Sequence, residues 1–184
     1  MTTSVPAIVL RPGQSSIPMG SEHFHTLVTL VEDRPGAVDR VVGLMRRRRA
    51  NMQTLALGRS EQPDVVRITV VVNDSDVVVE QLVEQLRKIV DVQRVVNITP
   101  HQAVTRDLAL IKVNSTSDNV HEIVERAHLF GAHPVDMSPE SVTVEVTGSE
   151  EKIEKLIDLL QAYGIREIAR SGRVAMARGV GEDA

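Results

Sequence analysis

The spacing of apolar residues along this chain follows one order twice, and this repeat limits the fold more than any other feature. In each half, alternating apolar positions give way to helical spacing, then to two alternating stretches, a second helical stretch and a last alternating one. The range 66–72 shows the alternation, and Val38, Val41, Val42 and Met45 show the i, i+3, i+4, i+7 spacing of a helix. The sequence therefore predicts the order βαββαβ twice.

This order is that of two tandem ferredoxin-like units, an α+β fold in which both helices cover one face of a four-stranded sheet. We predict a flexible leader over residues 1–23, which are rich in Pro, Gly and Ser, a first unit over 24–99 and a second over 106–180. The other face and the edges of each sheet would then be open and rich in Val and Leu. Another chain usually covers such surfaces, so we expect a homodimer or a larger assembly.

Composition excludes several classes of function. The chain has no Cys, no Trp, one Tyr and two Phe, so it lacks thiolate chemistry and the exposed rings of a base-stacking nucleic-acid module. Its net charge of −4 also argues against nucleic-acid binding. The apolar runs are too short for a membrane span, and the first residues do not have the pattern of a signal peptide. We expect a cytoplasmic protein with neither membrane nor nucleic-acid partners.

The turn Asp33-Arg34-Pro35-Gly36 connects the first predicted strand to the first predicted helix. Pro35 restricts φ, Gly36 lets the backbone approach a ligand closely, and the first helical amides have no acceptors within the helix. Those amides and the positive end of the helix dipole favour a small anion, such as the carboxylate of a free amino acid. On these residues alone, an ordinary strand-to-helix turn is the commoner explanation.

Motifs of catalysis are absent from the sequence. It contains no nucleophile elbow, no P-loop and no dinucleotide fingerprint. Acidic pairs such as Glu150-Glu151 stand at a helix start, where the helix dipole explains them. We therefore expect no catalytic residues, and we do not expect this chain to be an enzyme.

Two groups of side chains have both a functional and an ordinary explanation. The run Arg46 to Arg49 can contact phosphates, although the same residues favour the end of a helix without any ligand. His23 and His25 point the same way on a strand and can share a metal, although solvated surface histidines are commoner.

The resemblance to a known family rests on these parts of the sequence: Leu30 to Val38, the later Asn51, and Glu167 to Val174 followed by Arg178-Gly179. Together they are similar to the regulatory, or small, subunit of acetolactate synthase, also called acetohydroxyacid synthase. The Pro-Gly turn alone is typical of ACT domains, a widespread amino-acid-sensing module, whereas its combination with the second repeat and the Ala-Arg-Ser-Gly ending is more specific. The resemblance implies an N-terminal ACT domain and a C-terminal ACT-like domain.

The resemblance also implies a function. It implies a catalytic, or large, subunit as partner, which condenses 2-oxo acids with thiamine diphosphate, magnesium and FAD, while this chain itself holds no cofactor. The chain would activate that partner and confer feedback inhibition by a branched-chain amino acid, usually valine. Two alternatives stay open: a stand-alone ACT-type amino-acid sensor, and a nucleic-acid-binding regulator that uses Arg46 to Arg49.

The effector site that the resemblance implies contains no metal and consists of Asp33, Pro35, Gly36, Ala37, Val38 and Asn51. The amides of Gly36, Ala37 and Val38 can bind the carboxylate, and oxygens of Asp33 and Asn51 can accept from the ammonium. In the family, the equivalent of Asn51 lies close to the Pro-Gly turn of a neighbouring subunit, so we expect the site at a dimer interface.

The chain departs from the family pattern just before Asn51. Many members have a glycine and then an aromatic residue there, whereas this chain has Arg49 and Ala50. A glycine in that place ends the helix with a positive φ, and an arginine would cost about 1 kcal/mol in the same conformation. The family pattern therefore leaves open how this helix ends and where Asn51 lies.

Overall fold

The computed structural model describes residues 23–99 and 103–179, which form two βαββαβ units in the predicted order. The predicted leader lies outside the described residues except for His23. Within the described ranges, no helix has the length and apolar character needed to cross a membrane.

The first unit is a four-stranded antiparallel sheet with both helices on one face. Its elements are β1 (His23–Glu32), α1 (Ala37–Arg47), β2 (Met52–Arg59), β3 (Val65–Asp74), α2 (Asp76–Leu86) and β4 (Val92–Asn97). The strands lie in the order β2-β3-β1-β4. Met45 of α1 and Leu86 of α2 are fully buried in one core with Leu27 and Val31 of β1, which point to the same face of the sheet.

The second unit repeats this arrangement and adds a strand. Its elements are β5 (Ala103–Asn114), α3 (Val120–His128), β6 (His133–Ser138), β7 (Ser141–Gly148), α4 (Glu150–Leu160), β8 (Ile165–Arg170) and β9 (Val174–Ala177). The main sheet has the order β6-β7-β5-β8. Helix α4 begins after Ser149, whose hydroxyl oxygen caps the helix by accepting a hydrogen bond from the Lys152 amide at 3.3 Å.

Strand β5 begins at Ala103, before residue 106, where the sequence predicts the second unit to start. The additional residues belong to the strand because β9 pairs with them in antiparallel register, from Ala103 opposite Ala177 to Arg106 opposite Val174. The segment between the units is therefore partly a strand. The sequence predicts it as a connection.

The expectation of an open apolar face on the first sheet is wrong, because the second unit covers that face. Val28 and Ile98 of the first unit form a small buried cluster with Ala175 of β9. Arg67 of β3 donates a hydrogen bond from Nη2 to the Ala175 carbonyl oxygen at 2.8 Å. Val71, on the same face, is 2% exposed.

The corresponding face of the second sheet differs from the expectation in composition. Lys112 of β5 lies opposite Glu167 of β8, and Leu110 lies opposite Glu145 of β7, so charged residues alternate with apolar ones. A face of this kind can remain in contact with water. The sheet faces therefore no longer provide an argument for a homodimer, which stays a prediction.

Helix α1 ends in the way that a glycine would end it. Arg49 has a φ of 56°, in the left-handed region. Its amide donates to the Arg46 carbonyl, and the Ala50 amide donates to the Met45 carbonyl, both at 3.0 Å. These are the two hydrogen bonds of a Schellman motif, and Ala50 packs against the core that contains Met45. The departure from the family pattern therefore leaves the helix end in place and puts backbone strain on Arg49.

We expect Arg49→Gly to raise the free energy of unfolding by up to about 1 kcal/mol, because glycine adopts a positive φ without a steric cost. Urea denaturation measures this difference. Arg48→Gly is the matched control, since it removes the same charge at a residue with a φ of −83° and should stabilise nothing. Equal effects of the two substitutions would show that charge and not backbone strain matters here.

Candidate effector site

The turn between β1 and α1 is exposed and held in place by hydrogen bonds on both sides. Gly36 has a φ of 81° and precedes the first helical residue. The Glu32 amide donates to the Asp91 carbonyl at 2.9 Å, and the Asp33 amide donates to the Asp64 carbonyl at 2.8 Å. The left-handed backbone favours glycine at this position.

The predicted site residues of the turn differ in what they can offer a ligand. The Ala37 amide donates to the Arg34 carbonyl at 3.1 Å and the Ala37 side chain is fully buried, so this amide is already used in the observed conformation. Val38 is half-buried against the core, and its amide lies in the first turn, where the helix provides no acceptor. Asp33, Pro35 and Gly36 are exposed. An anion at this turn would therefore meet the Gly36 and Val38 amides.

Arg40 is a residue of this site that the sequence analysis missed. A Cβ atom added to Gly36 would lie 3.1 Å from Nη1 of Arg40, so the guanidinium stands directly beside the turn. The signal was present in the sequence, because a residue four positions further along a helix lies over the preceding turn. The turn thus combines a helix N-terminus with a fixed side-chain cation.

The Arg40 guanidinium is held by a buried acid. Its Nε donates to Oδ2 of Asp91 at 2.5 Å, and Asp91 is 4% exposed. Hydrogen bonding from Arg40 lowers the pKa of the Asp91 carboxyl group, and the same bond raises the pKa of Arg40. Both groups are therefore charged at neutral pH. The Nη1 edge of the guanidinium faces the turn, where an anion could pair with it.

Asn51 lies at the other end of α1 from this turn. Eleven helical residues separate the two positions, a length of about 16 Å. The Asn51 amide donates to Oδ2 of Asp74 at 3.0 Å, and its side-chain Oδ1 accepts from Nε2 of Gln53 at 2.8 Å. The structure therefore does not bring Asn51 together with Gly36 within one chain.

The Arg46 to Arg49 run occupies the last turn and end of α1, and all four side chains are exposed. Arg46 and Arg47 stand in the last turn, where the negative end of the helix dipole favours a positive charge. This placement agrees with the ordinary explanation of the run.

The Ala-Arg-Ser-Gly ending has a structural role between the two units. The Ser171 hydroxyl donates to Oδ1 of Asp107 at 3.1 Å, and Arg170 pairs with Oδ2 of the same carboxylate at 3.1 Å. Gly172 has a φ of 79°, and a Cβ atom there would lie 3.4 Å from the Leu55 carbonyl oxygen of the first unit. The glycine permits this close approach between the units, which the sequence analysis did not predict.

The fold and the turn together define a class of protein. Two ferredoxin-like units in tandem, with a left-handed glycine between the first strand and the first helix, form a pair of ACT-type domains. The model of the AHAS small subunit-like ACT domain matches residues 27–94, and the model of the small subunit of acetolactate synthase matches residues 106–179.

Known proteins resemble the chain over most of its length. An acetolactate synthase small subunit from Mycolicibacterium smegmatis is 47% identical, over 84% of this chain and 91% of its own. A probable acetolactate synthase small subunit from Archaeoglobus fulgidus is 46% identical, over 84% and 97%. The crystal structure of the acetolactate synthase small subunit from Thermotoga maritima superposes with a TM-score of 0.80 at 34% identity, over 85% and 98%. The chain belongs to the acetolactate synthase small-subunit family.

We expect Arg40→Met to destabilise the fold, because it leaves the buried Asp91 carboxylate without its partner. The lowered pKa of Asp91 sets the pH dependence: its contribution is complete above the unfolded-state value of about 3.9 and is lost as pH falls through the lower folded-state value. The difference in melting temperature between wild type and variant should therefore be largest near neutral pH and shrink on acidification below about pH 4.

The matched control is Arg87→Met, which removes an exposed ion pair with Glu84. Exposed pairs contribute little to stability, so this control should change the melting temperature far less. Similar losses in the two variants, or a loss in Arg40→Met that does not depend on pH, would contradict the role given to the Arg40–Asp91 pair.

Proposed function

We propose that this chain is the regulatory subunit of an acetolactate synthase. In this role it activates the catalytic subunit and confers feedback inhibition by a branched-chain amino acid, with valine as the first candidate. The observation that carries the proposal is membership of the small-subunit family across both units, with the Gly36 turn intact. Thiamine diphosphate, magnesium and FAD belong to the catalytic partner in this proposal, and this chain holds none of them. It acts in the cytoplasm.

The turn supports an amino-acid effector by its charge and its shape. A carboxylate placed at Gly36 would meet the start of α1 and the Arg40 guanidinium, two sources of positive potential on one side of the ligand. The exposed Asp33 side chain, two residues before Pro35, can accept a hydrogen bond from the ammonium. A zwitterion therefore fits this turn better than a simple anion.

The separation of Asn51 from Gly36 supports a site shared by two chains. Because α1 holds the two residues about 16 Å apart, one small amino acid cannot touch both in the same chain. A second copy that runs antiparallel would bring its Asn51 to this chain's Gly36, and the reverse contact would form a second, equivalent site. The proposed homodimer thus rests on the split site.

The purified chain should be a dimer or larger at micromolar concentration. Light scattering coupled to size exclusion measures the mass, with and without valine. A monomer that nevertheless binds valine would contradict the shared site.

The direct test of the proposal adds the purified chain to its catalytic acetolactate synthase subunit and measures acetolactate formation with and without valine. The proposal predicts higher activity when the chain is added and lower activity when valine follows. A pull-down from native lysate separates this proposal from a stand-alone amino-acid sensor, which would retain no catalytic subunit. Salt-dependent binding to DNA or RNA would instead support the nucleic-acid alternative.

Gly36→Asp should give an active complex that valine no longer inhibits. The new carboxylate would stand beside Arg40, where the effector carboxylate is proposed to bind, and like-charge repulsion would add to the steric block. We expect valine binding to weaken at least 100-fold, about 2.8 kcal/mol. The inhibition constant for valine in the reconstituted complex measures the effect.

Gly131→Asp is the control for this variant. Gly131 also has a positive φ, of 62°, and lies in the second unit after α3, so it carries similar backbone strain away from the turn. This variant should remain sensitive to valine. A folded, dimeric Gly36→Asp protein that valine inhibits as strongly as wild type would show that the effector binds elsewhere.

A further inference from the structure

Three side chains with metal-binding atoms converge where β1 and α2 begin. His23 and His25 occupy alternate positions of β1, so they point to the same face, and Asp76 is the first residue of α2. Within the described part of the chain, one ligand atom from each of these residues lies within 4.8 Å of the other two.

The distances in this cluster are close to those of a metal site. Nε2 of His23 lies 2.9 Å from Oδ1 of Asp76, and Nε2 of His25 lies 3.4 Å from the same oxygen. The two imidazole rings are 4.4 Å apart. Ligands of a tetrahedral Zn²⁺ ion at its usual bond lengths are separated by about 3.3 Å, so small side-chain rotations would allow all three to bind one ion.

His25 provides an independent observation that points to a ligand. It is 3% exposed, and its Nε2 makes no hydrogen bond of acceptable geometry among the described residues; Oδ1 of Asp76 lies 3.4 Å away. A buried polar nitrogen without a partner costs free energy, and folded proteins seldom leave one unsatisfied.

We propose that His23, His25 and Asp76 bind a first-row divalent metal ion, with Zn²⁺ as the reference ion. Two imidazole nitrogens and one carboxylate oxygen suit the transition metals better than Mg²⁺ or Ca²⁺, which favour oxygen ligands. Three protein ligands leave a fourth position of a tetrahedral ion to water. The ion would satisfy Nε2 of His25 and join the start of β1 to the start of α2.

A site of this kind requires a partner for the other nitrogen of His25. Nδ2 of Asn97 lies 3.3 Å from Nδ1 of His25, and Oδ1 of Asn97 accepts from the Thr99 amide at 3.1 Å. When a metal occupies Nε2, the proton moves to Nδ1 and needs an acceptor. Rotation of the Asn97 amide would provide it, and Asn97→Asp would provide it in either orientation. We therefore expect Asn97→Asp to bind the metal more tightly.

The test uses the full chain without an affinity tag. Calorimetric titration with ZnCl₂ should show one equivalent bound with a micromolar or lower dissociation constant. His23→Gln and Asp76→Asn should each weaken binding at least tenfold, and Zn²⁺ should raise the melting temperature of wild type but not of these variants. Both residues are exposed, so the variants should fold. Co²⁺ in place of Zn²⁺ should give the visible absorption of a four-coordinate ion.

His128→Gln is the matched control, because His128 belongs to another close histidine pair, with its ring 5.8 Å from that of His133. It should bind Zn²⁺ as wild type does. Absence of Zn²⁺ binding by wild type at micromolar concentration would overturn the proposal, and so would equal weakening in the control. Weaker binding by Asn97→Asp would overturn the assignment of Nε2. Loss of valine response with intact zinc binding would count against the proposed function alone.

Discussion

Asp91 joins three elements of the first unit, and the geometry of the candidate effector site depends on it. Its carbonyl accepts the Glu32 amide at the end of β1, and its carboxylate binds Arg40 of α1 immediately before β4 begins. A buried carboxylate is stable in this place because the Arg40 guanidinium compensates for the lost hydration. Because Asp91 is buried, it requires Arg40 as its partner, and this pairing keeps the guanidinium beside Gly36.

The arrangement places two sources of positive potential at the turn, the start of α1 and the Arg40 guanidinium. Gly36 has no side chain, so nothing separates the helix start from Arg40, and the guanidinium lacks the freedom of a surface arginine because Asp91 holds its Nε. A cation that is already oriented loses little side-chain entropy when it binds. A turn that offers groups for both charges of an amino acid, the carboxylate and the ammonium, would differ in this from an ordinary helix start.

The order and type of the elements follow from local patterns, so the sequence predicts them well. Alternating valines in β3 and the three- to four-residue spacing of apolar residues in α1 indicate which face of each element is buried. This information lies within a few residues of sequence. Contacts between distant segments leave no such local pattern. The pairing of β9 with the start of β5 joins residues such as Ala103 and Ala177, 74 positions apart, in a way that no spacing reveals. The cover that Ala175 gives to Val28 joins residues 147 positions apart.

The candidate effector site was partly predictable for the same reason. The turn itself is local, and so is the need for glycine at position 36. The place of Arg40 beside the turn could be predicted from its helical spacing from Gly36. Its pairing with Asp91 could not, because Asp91 is 51 residues further along the chain. The position of Asn51 depended on Arg49, which breaks the family pattern. The observed positive φ of Arg49 shows that the hydrogen bonding and packing of Ala50 outweigh about 1 kcal/mol of backbone strain.

The two candidate ligand sites of the first unit lie at opposite ends of its sheet, and Asn51 belongs to the end that holds the histidines. Asp74 accepts the Asn51 amide and, two residues on, Asp76 contacts His23 and His25. The short connection between β3 and α2 therefore supports both Asn51 and the proposed metal ligands. An ion that fixes this connection would also fix Asn51, which a second chain is proposed to use, so metal binding and effector binding would be coupled through three consecutive residues.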